Sequence, residues 1–115
     1  MINKAILVGR AVADPSLRAT AQGVHIANLR IVTNSFSGRD DEGNRKEQSE
    51  FHDLVLFGRL AEVAGDYVRK GRLIYVDGRI QTRSYEADGQ KKWRTEVVVE
   101  TLQLLSPKPS EAEAA

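Results

Sequence analysis

Apolar positions along the 115-residue chain gather into five strand-like runs and one helical stripe. Lys4 to Val12 carries the run Ala5-Ile6-Leu7-Val8 and stops at Asp14-Pro15, a turn dipeptide. From Val24 to Phe36 the pattern is stricter. Ala27, Leu29 and Ile31 fall on one side of an extended chain, and Asn28, Arg30 and Val32 on the other. Ser37 to Lys46, SGRDDEGNRK, reads as a charged loop, and Glu47 to Phe57 as a third strand. In that strand Phe51, Asp53, Val55 and Phe57 share one face, while His52, Leu54 and Leu56 share the other. The period then changes. Leu60, Val63, Ala64, Tyr67 and Val68 have the spacing of one helical stripe, with Lys70 suited to the helix C-terminus and Gly71 to its stop. Arg72 to Arg83 and Trp93 to Leu105 are two more strands, and Asp88-Gly89 between them signals a tight hairpin.

Three strands, a helix and two strands form the element order of the OB-fold, an all-β five-stranded Greek-key barrel. The helix lies between the third and fourth strands, where its stripe closes one barrel end as core. The expected organisation is one domain over residues 1–105 and a short disordered tail over 106–115. The tail, SPKPSEAEAA, lacks aromatic and β-branched residues.

Composition narrows the function. With Cys 0 and His 2 there are no disulfides, no thiolate zinc sites and no cysteine nucleophile. No ligand spacing, Gly-Lys-Ser/Thr phosphate loop or nucleophile elbow is present, so a binding protein without turnover, metal or cofactor is expected. No apolar run approaches the ~20 residues that span a bilayer. MINKAILVGR reads as a first strand, not a signal peptide, and a cytoplasmic location is expected. The net charge of +1 says little, but its distribution says more. Between Arg69 and Arg94 eight basic residues meet three acidic ones, an excess of five, interleaved with Tyr75, Tyr85 and Trp93. Basic and aromatic residues together on strands suit nucleic acid. Only one face of the strand ending at Phe57 can enter a small core. Phe51 and Phe57 therefore either fill that core or stand outside it, where rings can stack on unpaired bases. His25 reads as solvent-facing.

NKAILVGR, HDLVLFGRLAEVAGDYVRKG and TEVVVE resemble the bacterial-type single-stranded-DNA-binding proteins, in the same order and over nearly all of residues 1–105. The resemblance implies an OB-fold that binds and protects single-stranded DNA with little sequence preference during replication, recombination and repair. It places stacking rings at Phe36, Phe51, Phe57 and Tyr85, where the family commonly has Trp at three positions. It places cations for phosphate at Arg59, Arg69, Lys70 and Arg83. Trp93, Arg30, Arg79, Lys91 and Lys92 complete the expected interface. His52 matches a subunit contact of a homotetramer built as a dimer of dimers. The strand Asn3 to Val8, through Asn3, Ile6 and Val8, would be the pairing edge. Two departures stand out. Asp53 puts a carboxylate on the Phe51 face, where relatives can carry Arg, and it repels phosphate unless a neighbour such as Arg30 or Arg83 pairs with it. Glu113-Ala114-Ala115 lacks the acidic peptide and hydrophobic tip by which relatives dock replication and repair enzymes. The alternatives are a dimeric replication-restart protein of the same fold and an OB module that binds proteins.

Overall fold

The computed structural model describes residues 1–107. Seven elements follow one another: β1 (Ala5–Ala11), β2 (Ser16–Ala19), β3 (His25–Arg39), β4 (Arg45–Phe57), α1 (Arg59–Tyr67), β5 (Leu73–Ala87) and β6 (Gln90–Leu104). The strand order β1-β5-β6-β4-β3 returns to β1 through a β1–β3 pairing, so five strands close a barrel. This is the expected OB-fold, with the helix following the third barrel strand. β2 hangs on the outer edge of β3 and is additional to the five. It leaves little signal in the sequence, since all four residues are exposed and no alternation marks them.

Two seams hold the barrel shut, and both are short. β1 meets β3 only at Arg10–Val32 and Ala11–Ile31. β4 meets β6 in parallel only at Leu54–Val97 and Val55–Val98. The long antiparallel pairings, β3 with β4 and β5 with β6, run far beyond the barrel as two-stranded arms. The charged segment expected as a loop over 37–46 is therefore half strand. β3 continues to Arg39, β4 restarts at Arg45, and a turn at Asp40 joins them. There Asp40 Oδ1 accepts the N–H groups of Glu42 and Asn44 at 2.9 and 2.8 Å. An arm with solvent on both faces has no core to impose apolar alternation, so its strands look like loop in sequence. The second arm ends at Asp88 (φ 53) and Gly89 (φ 75), the paired positive angles of a tight hairpin turn.

The core lies inside the closed part. Ile31, Leu54, Leu56, Ile74 and Val76 are fully buried, with Ala27, Ala61, Ala64 and Val68 packed among them. α1 is shorter than its stripe suggested. Val68 already turns extended (φ −88, ψ 126), and Tyr67, expected in the core, is 43% exposed. Helix ends leave carbonyls without intrahelical donors. Two arginines supply them here. Arg69 Nη1 donates to the Gly65 and Val68 carbonyls at 2.8 and 2.7 Å, and Arg72 Nη1 to Tyr67 at 2.9 Å. The Ser106 hydroxyl accepts the Leu73 N–H at 3.0 Å and fixes the end of β6, while residues 108–115 of the expected tail lie outside the described residues.

Outside the barrel wall, Asp77 ties three strands together. Its carboxylate accepts the Tyr75 hydroxyl at 2.7 Å and Lys4 Nζ at 3.3 Å. Those contacts, the Tyr75 bond first and then the Lys4 and Thr101 bonds, hold its pKa below the usual carboxylate value against the cost of burial. The same bond raises Tyr75 above the ordinary phenol value.

Where β1 swings from β5 to β3, the chain has no room for a side chain. A Cβ on Gly9 would lie 2.5 Å from the Val32 carbonyl oxygen, and, at the register shift between β5 and β6, one on Gly78 would lie 2.0 Å from that of Val98. Both obstacles are backbone. Gly9→Ala is expected to lower stability by about 1–3 kcal/mol, the range of overpacked sites. A denaturant titration checks it, and an unchanged midpoint would mean that β1 can close the barrel by another path.

Candidate nucleic-acid interface

Strand alternation sorts the candidate residues. The core side of the wall is set by Ala27, Leu29, Ile31, Leu54, Leu56, Val97 and Val99. The opposite, outer side of β3 and β4 carries Phe36, Val32, Arg30, Phe51, Asp53 and Phe57, through the pairs Phe36–Glu47, Val32–Phe51, Arg30–Asp53 and Ile26–Phe57. The outer side of β5 and β6 carries Arg79, Arg83, Tyr85, Lys92, Arg94 and Glu96, through Arg79–Val98, Gln81–Glu96, Arg83–Arg94 and Tyr85–Lys92. One continuous outer face thus spans four strands. A small apolar patch of Ile26, Val55 and Val98 floors it at the parallel seam.

The rings on this face stand in solvent: Phe51 is 60% exposed, Phe36 52%, Phe57 45% and Tyr85 39%. Cations attend two of them. Arg45 lies 4.6 Å over the Phe36 ring and Arg94 5.8 Å over the Tyr85 ring. Such rings keep an open face for a flat partner. Trp93 is exposed too, but its cross-strand partner is Ser84, so it points from the other side of the β5–β6 arm, with Lys91 5.8 Å from its ring. Tyr75 is turned toward Asp77 instead.

The cations divide into held and free. Arg30 Nε donates to Asp53 Oδ1 at 2.9 Å, and that bond, then the Coulomb attraction, raises the Arg30 pKa. Asp53, the departure noted in the sequence, is therefore neutralised by its neighbour on β3. Arg83 Nε donates to Glu96 Oε1 at 2.7 Å. Arg59 projects from the start of α1 beside Phe57 and pairs loosely with Glu62 at 3.4 Å. Arg69 caps α1, and the Lys70 N–H is held by Asp14 Oδ1 at 2.9 Å. Arg79, Lys91 and Lys92 are exposed. Arg94, not among the residues expected from the sequence, lies directly across from Arg83. Its only signal in the sequence was its place in the basic window.

The assembly candidates lie elsewhere. His52, on the core-side face past the barrel, bonds Thr33 Oγ1 through Nε2 at 2.8 Å. It lines a hollow of about 380 Å³ with Ala5, Leu7, Ile80 and Val97, where β4 and β6 part. Ile6 and Val8 are 61% and 48% exposed on β1. Asn3 is engaged within its own chain, giving 2.8 Å and taking 2.9 Å bonds with the Ile80 backbone. Among the described residues no group of three His, Cys, Asp or Glu comes together as a metal site.

The sequence profile of the single-strand binding protein family matches residues 2–105. The fold is similar to a solved Plasmodium falciparum SSB in complex with ssDNA: TM-score 0.82, 27% identity, over 92% of this chain and 97% of that one. It is also similar to a deletion mutant of the single-stranded DNA binding protein from Thermus aquaticus: TM-score 0.77 and 35% identity. That match covers 91% of this chain and 51% of that one, so the chain spans about half of the Thermus protein's length.

Because Phe51 and Phe57 project outward, truncating them leaves the core intact. Phe51→Ala and Phe57→Ala are each expected to change stability by less than about 0.5 kcal/mol. Leu54→Ala, on the core side of the same strand, should cost about 2–5 kcal/mol. Thermal melts of the three variants check the assignment of faces, which a large loss at either Phe would reverse.

Proposed function

The chain belongs to the single-strand binding protein family, a non-enzymatic family of DNA-binding proteins, and we propose that it binds single-stranded DNA by laying bases on its outer-face rings. The observation that carries this is the exposure of Phe36, Phe51, Phe57 and Tyr85 on one continuous sheet face edged with arginines and lysines. A stacked base contributes about 1–3 kcal/mol, and every base has a π-face, so little sequence preference follows. Phosphates run along Arg79, Arg83, Lys92 and Arg94, with Arg59 extending the path past Phe57. Trp93 and Lys91 serve a strand that rounds the edge of the β5–β6 arm. Arg30 contributes weakly, because a phosphate must displace Asp53 to reach it. Arg69 acts chiefly as the cap of α1. A bound strand is kept from re-pairing and from nucleases, which is the service such a protein gives to replication, recombination and repair in the nucleoid.

One barrel presents a short track, and a homotetramer multiplies it. Two observations support assembly. β1 pairs with β3 only through Arg10 and Ala11, so the edge from Ala5 to Gly9 is open for a second chain. Ile6 and Val8 stand exposed on that same strand. His52, half-buried in the hollow beside β1, is suited to a further subunit contact. No helix among the described residues is long and apolar enough to cross a membrane.

Oligo-dT is expected to bind more tightly than the matching duplex, with log affinity falling linearly against log salt by about 0.7 per phosphate neutralised. Equal affinity for duplex, or a salt-independent constant, would favour a protein-binding OB module instead. Sedimentation equilibrium at micromolar concentration should give the mass of four chains, and His52→Lys should shift it toward two or one. A wild-type mass of two chains would point to the dimeric replication-restart form.

A further inference from the structure

Arg83 and Arg94 face each other directly across β5 and β6, both on the outer side. Like charges placed so are unfavourable in a sheet. Glu96 lies one position along the same face, its side chain only 3% exposed, and its Oε1 takes the Arg83 Nε at 2.7 Å. A carboxylate that deep requires a cation, which accounts for Arg83. It does not account for Arg94. Among the described residues Arg94 has no carboxylate partner and only the Tyr85 ring beneath it. Arg83, Tyr85 and Arg94 together line a concavity of about 270 Å³.

Glu96 occupies only the Nε of Arg83. A guanidinium presents five N–H donors in a fixed planar fork, so the Nη groups of Arg83 stay available with their plane held from below. Two arginines thus line one concavity, Arg83 tied to Glu96 and Arg94 5.8 Å over the Tyr85 ring, and an anion seated there would meet both. The ring supplies the stacking surface for the base attached to that anion.

Resting on the strand-binding reading above, we propose that Arg83 and Arg94 clamp the backbone phosphate adjoining the base stacked on Tyr85. Glu96 is the positioning residue that holds Arg83 in the clamp. The clamp makes the β5–β6 arm the strand's firmest anchor. At the matching place on the other half of the face, the Arg30 fork lies against Asp53, through Nε at 2.9 Å and Nη2 at 3.5 Å. The two carboxylates thus play opposite parts: Glu96 takes one edge of its arginine and leaves the rest, whereas Asp53 competes with phosphate for its arginine.

The test turns on a sign. Glu96→Gln removes a negative charge beneath the strand path, so simple electrostatics would tighten binding. A positioning role loosens it. Titrations of oligo-dT over a salt series should show Glu96→Gln binding roughly tenfold more weakly, the loss of one charge-assisted contact. In an Arg83→Gln background the same change should have no further effect, because Glu96 acts only through Arg83. Arg94→Gln should weaken binding to a similar degree and reduce the salt slope by about 0.7, with its melting temperature unchanged. Tighter binding by Glu96→Gln, or an unaltered slope for Arg94→Gln, would overturn the clamp. Should Glu96→Gln fail to fold, the exposed Arg94 decides the matter alone. Wild-type protein that ignores oligo-dT would sink the strand-binding reading itself, a result distinct from failure of the clamp.

Discussion

Closing a five-stranded barrel with strands of up to fifteen residues is the constraint behind the rest of this molecule. Closure uses only a fraction of each strand. Two residue pairs join β1 to β3, and two join β4 to β6. The first seam exists because Gly9 lets the β1 backbone approach the Val32 carbonyl. Beyond the seams the strands have no further neighbours to close on, and they leave the barrel in hairpin pairs. The arms are therefore what remains of the sheet once the barrel is shut. Because strand parity carries on from the wall into each arm, the outward residues of wall and arms belong to one sheet face.

That surface is ordered by its charges. Across β3, β4, β6 and β5 it reads Arg30, Asp53, Glu96 with Arg94, and Arg83. The carboxylates occupy the two middle strands, Arg30 and Arg83 flank them, and Arg94 shares β6 with Glu96. Ion pairs that stand partly in solvent contribute little to folding. They fix where guanidinium groups point, and so decide which cations are ready for an anion before it arrives.

The barrel was legible in the sequence because burial leaves a period. Ala27, Leu29 and Ile31, and the strand from Phe51 to Phe57, carry the alternation that a two-sided wall imposes. The helix was legible as a stripe, though not its end. Tyr67 continues the stripe but is the last helical residue, immediately before Val68 turns extended, and the arginine caps that end the helix leave no periodic mark. The arms were least legible. Ser37 to Lys46 is polar because both of its faces meet water, which makes strand and loop look alike. β2, exposed at all four residues, was invisible for the same reason. In the interface, parity put Phe51 and Phe57 on one face but left open whether that face met the core, and Trp93, expected in the same interface as Tyr85, lies on the other side of the arm. The charge pairing did not follow from the sequence, because Arg83 with Glu96 and Arg30 with Asp53 are far apart in sequence and become neighbours only through register.

Parity also separates Tyr85 from Trp93 on the second arm. Trp93 is the chain's sole tryptophan. Its indole lies on the side of the arm away from Phe36, Phe51, Phe57 and Tyr85. The protein's intrinsic indole emission is therefore a local gauge of one side of one hairpin. A ligand confined to the outer face leaves that light nearly untouched, while anything that wraps the arm's edge or packs against its reverse side dims or shifts it. A single built-in fluorophore thus distinguishes a strand lying flat on this protein from one wound around it.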